Sequence, residues 1–332
     1  MKLIKLMWTI PIALCLSGAS LADDLTTSGD PKNLGFSAAR LARIAPWYQA
    51  RFDSFSPSDG LVPGAVVAIA KGGKLAYLQA IGFQDRAKTI PMKTNSIFWI
   101  ASMSKPVTSV AAMMLVEEGK LALTDPVSKY IPAVADMRVG LDSAPQKRPM
   151  VGDPGAKWTY CGGATALLGR LIAKGTGEPL LGYCSRVLFH PMGFGPVDWA
   201  RGEDGEYRAA SGLRLLPRDL LKIGELVRAG GLWNSDPILP RDWLKRSLTP
   251  AATLQDGRRY GYHWYFGASA AAASQHVERW VGGIGWGGQR LYVFPALDLV
   301  VAQHCGNYHK AGTEQRRIND AIITEIVLLG LV

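Results

Sequence analysis

The chain has 332 residues, 48% of them hydrophobic, and a formal net charge of +10, enough for a large core in one domain or two intertwined ones. The basic excess is dispersed: Arg258-Arg259 and Arg316-Arg317 are isolated pairs, and no stripe of cations interleaves with aromatic residues. That argues against nucleic acid as a partner and leaves a solvated basic surface, suited to anionic wall or membrane polymers.

The chain opens with Lys2 and Lys5, an apolar run from Leu6 to Leu16, and Ser20-Leu-Ala22 ahead of Asp23-Asp24. This is the pattern of a signal peptide, with small residues suited to cleavage after Ala22. Leu14 precedes Cys15, where a lipoprotein signal wants a small side chain. The apolar run is short for a membrane span, and no later segment is continuously apolar for about 20 residues. The expectation is a periplasmic or secreted protein with no stable membrane insertion. Loss of Lys2 and Lys5 lowers the charge to +8, and Cys161, Cys184 and Cys305 remain. An odd count allows at most one internal bridge, and free buried thiols are equally compatible with it.

From Ser37 to Phe55, Leu41, Ile44, Ala45, Tyr48 and Phe52 recur at spacings of three and four, which predicts an amphipathic helix. Pro63 to Ala70 reads as a buried strand, Lys71-Gly-Gly-Lys74 as a tight turn and Leu75 to Gly82 as the returning partner. A helix beginning near Met103 stops at Gly119. The chain is irregular from Ala133 to Lys157. Helices are expected from Thr165 to Lys174, ended by Gly175, and from Pro217 to Gly230. Strands return at Gly261–Phe266, Arg290–Phe294 and Leu299–Gln303, and a closing helix runs from about Gln315 to Leu328. Strands at both ends with helices between them imply an α/β domain built from residues 36–100 and 260–332, with a helical domain over 101–259 inserted in it.

The chemistry centres on Phe98-Trp-Ile-Ala-Ser-Met-Ser-Lys105, where a strand-like run meets an apolar helix. Residues three apart share a helix face, so Lys105 lies one turn above the Ser102 hydroxyl, a base beside a nucleophile. The helix N-terminus adds unpaired NH groups and a positive dipole end, which stabilise developing negative charge. Such a pair also needs a proton donor for the leaving group and donors for the oxyanion. Tyr160, delivered by a Gly/Pro turn just before a helix, is the candidate for the first. Gly282-Gly-Ile-Gly-Trp-Gly-Gly-Gln289, together with the Ser102 NH, is the candidate for the second, since glycines let a backbone approach a substrate closely.

Other chemistries find little support. Gly283, Gly285 and Gly288 satisfy a dinucleotide-binding spacing, but a strand follows at once where that motif needs a helix. The five histidines show no metal-ligand spacing and read as structural or exposed. There is no G-x-S-x-G elbow and no phosphate-binding Walker loop, and the adjacent Glu117 and Glu118 read as solvated.

Ser102-x-x-Lys105, Tyr160 and the glycine-rich segment before the strand at 290–294 together resemble the serine β-lactamase and penicillin-binding superfamily. The order and spacing are most similar to its class C branch, which includes DD-peptidases, esterases and oligomer amidases. The similarity runs from about Phe36 to Leu328 and includes Gly82-Phe-Gln-Asp85, Leu121 to Pro126, Ala210-Ser-Gly-Leu213, Pro217-Arg-Asp-Leu220 and Gly288-Gln-Arg-Leu-Tyr-Val-Phe-Pro295. It implies an α/β (α+β) β-lactamase-like fold: an antiparallel sheet flanked by N- and C-terminal helices, plus an inserted all-α domain, with the site between the two. It implies Ser102 as the acylated nucleophile, Lys105 as its base, Tyr160 as the proton shuttle, and the NH groups of Ser102 and Trp286 as the oxyanion hole. No metal or cofactor is needed for that covalent mechanism.

Three departures shape the expected substrate. The family's Tyr-x-Asn stands here as Tyr160-Cys161-Gly162, without the amide that would hold a substrate amide. Gly283-Ile-Gly285 replaces Lys-Thr-Gly, so the cation that binds a β-lactam or peptide carboxylate is missing. Relatives carry several dozen residues between the counterparts of Lys147-Arg-Pro-Met150 and Pro154-Gly155, where this chain has almost none. The leading expectation is an exported serine hydrolase acting on a small-molecule ester or a non-lactam amide. A penicillin-recognising DD-peptidase or β-lactamase acting on a peptide-like substrate, and a catalytically impaired binding protein of the same fold, are the alternatives.

Overall fold

The computed structural model describes residues 25, 28–53, 64–85, 89–135, 158–272, 274, 276–308 and 312–331. The signal-peptide segment, the Pro154-Gly155 turn, the shortened stretch around 147–155 and His309 lie outside these residues.

The first expected helix is two: α1 (Ala38–Leu41), capped by the Ser37 hydroxyl, and α2 (Ile44–Asp53). Pro46 explains the break, since its ring crowds the carbonyl four residues earlier, at Ala42, and it offers no NH to bond it. Strands β1 (Gly64–Lys71) and β2 (Lys74–Asp85) follow as a hairpin whose Gly72 and Gly73 both take positive φ, the reason two glycines stand there. Short strands β3 (Ile90–Pro91) and β4 (Phe98–Trp99) lead into a 3₁₀ turn over Ala101–Met103 and then α3 (Ser104–Glu117), with Gly119 at φ +70° beyond its end.

The inserted region is helix-rich but not helical throughout. It contains α4 (Gly162–Thr176), α5 (Leu180–Cys184), strands β5 (Asp198–Trp199) and β6 (Leu213–Leu215), α6 (Pro217–Arg228), strands β7 (Leu232–Trp233) and β8 (Asp236–Pro237), and α7 (Arg241–Ser247). β4, β6 and β5 form a small sheet of their own, and β7 pairs with β8. Two sequence boundaries are corrected. α4 starts at Gly162, capped by the Cys161 sulfur, and runs through Gly175 to end at the left-handed Gly177. The expected strand at 261–266 is broken at Tyr262-His263, which both take positive φ and turn the chain from β10 (Arg259–Gly261) into β11 (Trp264–Ala270), so that Gly261 and Trp264–Phe266 lie in two paired strands.

β9 (Ala252–Thr253), β12 (Val277–Gly285), β13 (Gln289–Phe294) and β14 (Leu299–Cys305) complete the main sheet, and α8 (Gly312–Ile322) closes the chain, prolonged by a π turn at Ile323–Val327. The sheet is nine-stranded and antiparallel, in the order β3-β2-β1-β14-β13-β12-β11-β10-β9. Every residue of β14 is buried, because both faces are covered. On one face Val300 and Ala302 join the core of α3, α4 and α6; on the other Leu299 and Val301 join that of α2, α8 and the π turn. Gly224 lets α6 sit directly on the sheet, since a Cβ there would collide with Val300 Cγ1. Cys161, Cys184 and Cys305 are free thiols, the last two buried.

Candidate active site

Ser102 sits in the 3₁₀ turn at the mouth of α3, one residue after Ala101, which holds φ +49° without being glycine. Left-handed backbone costs such a residue roughly 1–2 kcal/mol and survives only where surrounding contacts impose it. Those contacts are visible. The buried Ser104 hydroxyl donates to Ala101 O (2.7 Å) and accepts from Leu213 NH (3.0 Å), Ile100 NH donates to Leu213 O (3.0 Å), and the Thr108 hydroxyl reaches Ala209 O (2.9 Å). Ala209–Leu213 is thereby laced along α3. Behind the turn, β12 approaches closely: a Cβ at Gly283 would lie 3.1 Å from Met103 Cγ, and one at Gly285 would collide with Ile100 O.

Lys105, in the first turn of α3, is only 4% exposed. Its Nζ stands 3.3 Å from Ser102 Oγ and donates to Ala210 O at 2.8 Å. Proton transfer between hydroxyl and amine needs this reach. Tyr160 lies two residues before α4 with its ring centroid 4.7 Å from Lys105 Nζ, so the sequence-predicted residues do meet. They meet ring to cation: Tyr160 is 43% exposed, and its hydroxyl makes no hydrogen bond among the described residues. Cys161 is exposed, its sulfur accepting from Ala164 NH at 3.4 Å. Gly162 faces the laced segment, since a Cβ there would lie 3.8 Å from that of Ala210, so a side chain at 162 would point toward the Lys105 anchor.

Trp286 follows the last residue of β12, its indole 47% exposed in all and donating to Tyr308 O at 3.0 Å. The loop it starts rests on buried amides. Gly287 NH donates to Gln315 Oε1 (3.0 Å), Gln315 Nε2 to Asn307 O (2.8 Å), and Gln289 Nε2 to Cys305 O (2.6 Å). Gln289 Oε1 meets His304 Nδ1 at 2.8 Å, and burial pushes that imidazole down to about 3, so it is neutral. Fixed loops of this kind orient backbone donors without reorganisation.

Sequence reasoning left His263 among the structural or exposed histidines, yet it stands directly behind Lys105. Its Nδ1 lies 2.6 Å from Ser109 Oγ on α3 and its Nε2 3.2 Å from Thr165 Oγ1 on α4, tying the helix that carries Lys105 to the one that Tyr160 precedes. Burial, and then the Lys105 charge, push it down to about 4. The Ser109–Thr165 pair on two otherwise apolar helix faces was the signal available for it. The lacing hydroxyls Ser104 and Thr108 were also missed, and they share that signal. Among the described residues no group of His, Cys, Asp and Glu is arranged to hold a metal, and no helix is long and apolar enough to cross a membrane.

Comparison with known proteins identifies the family. The family described as Beta-lactamase matches residues 49–321. Protein Rv1367c of Mycobacterium tuberculosis is 45% identical over 85 residues, which are 26% of this chain and 21% of that protein. Esterase EstB of Burkholderia gladioli is 27% identical over 213 residues, 49% of this chain and 53% of the esterase. The chain thus spans a fifth and about half of these relatives' lengths. The crystal structure of a class C β-lactamase from Rhodobacter sphaeroides superposes with a TM-score of 0.65, covering 88% of this chain and 100% of that one at 15% identity, a likeness of fold. With a family match across most of its length and the expected mixed fold around an antiparallel sheet, the chain belongs to the Beta-lactamase family.

Proposed function

We propose that the protein is an exported serine hydrolase that cleaves an ester or a non-lactam amide through an acyl-Ser102 intermediate. The observation that carries this reading is the 3.3 Å approach of Lys105 Nζ to Ser102 Oγ at a helix mouth, with the Tyr160 ring alongside. In the proposed cycle Lys105 takes the hydroxyl proton as Ser102 Oγ adds to the substrate carbonyl, and the NH groups of Ser102 and Trp286 stabilise the oxyanion. Tyr160 passes the proton to the leaving alcohol or amine as the carbonyl–heteroatom bond breaks. Water then adds to the acyl-enzyme and returns the proton to Ser102.

An ester is favoured over a lactam or a peptide carboxylate because Gly283 and Gly285 offer no cation and Gly162 no amide, and because EstB is named an esterase. The likeness to a class C β-lactamase supports the second reading, a penicillin-recognising enzyme. Export rests on Lys2, Lys5 and the apolar run before Ser20 and Ala22. A fluorophosphonate reagent is expected to label the wild-type protein and not Ser102→Ala; equal labelling of both would remove Ser102 from its role. Turnover of nitrocefin faster than of nitrophenyl esters would favour the second reading.

A further inference from the structure

The three exposed tryptophans of the described chain all surround the candidate site: Trp99 at 39%, Trp158 at 40% and Trp286 at 47% exposure. With Tyr160 they supply four of the nine exposed large apolar side chains, gathered in one place where chance would scatter them. Two ring clusters result. On the side of β4 and the β12 end, Trp99 stacks on Tyr308 (centroids 5.6 Å apart, planes 17° apart), and Trp286 is tied to Tyr308 through its indole NH. The second cluster centres on Tyr160, whose ring lies 4.7 Å from Lys105 Nζ: Trp158 meets Tyr260 edge-on at 5.2 Å and Tyr160 at 6.3 Å. Hydrogen bonds fix the first cluster: the Trp99 indole donates to Ser211 O, next to the carbonyl that holds Lys105, and the Tyr308 hydroxyl donates to Trp99 O at 3.2 Å. The one basic side chain among these contacts, Lys105, is already engaged by Ala210 O.

Resting on the serine-hydrolase reading, we infer that the site accepts uncharged aromatic esters, which pack on the exposed rings of the Trp99–Tyr308–Trp286 and Trp158–Tyr160–Tyr260 clusters. Rings left half-exposed gain from a further ring packed against them, through stacking and edge-to-face contact beyond simple burial. A carboxylate on the same ligand would face π clouds and glycines with no counter-charge, and would lose its hydration without replacement. The reaction is hydrolysis: the ester C–O bond breaks, the acyl group passes to Ser102 Oγ, the alcohol leaves with the serine proton, and water releases the acid.

The test separates recognition from catalysis. Ser102→Ala protein is titrated with methyl 3-phenylpropanoate, methyl 3-cyclohexylpropanoate and the 4-carboxy derivative of the phenyl ester, read by tryptophan fluorescence. The phenyl ester is expected to bind about tenfold tighter than the cyclohexyl ester, in keeping with two aromatic contacts. The carboxylate should bind more weakly still, and Trp99→Leu with Trp158→Leu should erase the phenyl preference. Equal binding of the phenyl and cyclohexyl esters, or tightest binding of the carboxylate, overturns the inference. Hydrolysis of the same esters by the wild-type protein, with fluorophosphonate labelling, is measured separately. Labelling without aromatic preference refutes the collar alone, and aromatic binding without labelling refutes the hydrolase reading alone.

Discussion

The two halves of the site are built differently. The half on α3 is buried and laced: Lys105 is 4% exposed, and Ser104, Thr108 and the Ala210 carbonyl bind it to the neighbouring segment. The half before α4 is open: Tyr160 is 43% exposed and held by ring contacts with Lys105, Trp158 and Tyr260. Directional bonds hold the segment around Ser102 and Lys105 closely, whereas ring contacts tolerate sliding. Ser102 and Lys105 therefore sit in a pre-set frame, while the Tyr160 hydroxyl makes no hydrogen bond among the described residues.

The strongest way to break this contrast is to compare its two ends kinetically. Lys105→Met is expected to lower ester turnover by about 10³-fold or more and Tyr160→Phe by about 10², within the span of general acid–base contributions. Equal losses would mean that the open half contributes as much to the chemistry as the laced one, and the contrast would fail. His263→Ala, which cuts the tie from Ser109 to Thr165, is expected to cost about tenfold in kcat with KM little changed, as misplacement of a catalytic group does. His263→Gln, which can still bridge the two hydroxyls, should recover part of it. A tie without influence on the open half would leave kcat untouched in both.

Acid sharpens the same point through stability. His263 is held neutral, at about 4, among Lys105, Tyr260, Ser109 and Thr165, and His304 at about 3, whereas both protonate near 6.5 when unfolded. Below pH 6.5 the unfolded chain therefore binds more protons, and stability falls as pH drops from 6.5 toward 4, by about 3 kcal/mol through His263. Urea unfolding across this range should show the slope, and His263→Gln should reduce it to the part carried by His304. The smallest effect is expected at the nucleophile's own shoulder. Ala101→Gly removes the left-handed penalty and should raise stability by about 0.5–1 kcal/mol. It should lower turnover at the same time, because the turn that aims Ser102 gains freedom.

Much of this was readable from local chemistry. Gly72-Gly73 announced the first hairpin, and Ser102-x-x-Lys105 ahead of an apolar run announced the helix mouth and its contact. The Tyr262–His263 turn was not, because the run holds Tyr262, Trp264, Tyr265 and Phe266, and such aromatic residues favour strands. Both residues take positive φ there, and His263 is bonded to Ser109 and Thr165, partners far away in sequence. The end of α4 was misplaced because Gly175 and Gly177 look equivalent in sequence, and the left-handed one is decided by packing. The amides beneath the Trp286 loop were invisible for a related reason. Asparagine and glutamine ordinarily lie on surfaces, and Gln289, Gln303, Gln315 and Asn319 are buried only because β13, β14 and α8 converge.

The position of β1 in the sheet carries a kinetic consequence. It lies between β2, its immediate successor, and β14, some 230 positions later, and Phe36 bridges to Leu331 across nearly the whole chain. Contacts of such sequence separation close the largest loops, and they slow folding accordingly. The centre of the sheet, and with it the seat of α6 against Leu291 and Val300, can assemble only after β14 has been synthesised. Until then β1 presents an unpaired edge. A chain stopped before Leu299 should accumulate as an aggregation-prone intermediate, whereas a permutant that joins residues 36 and 331 and opens an exposed turn should keep every strand neighbour and shorten the slowest loop.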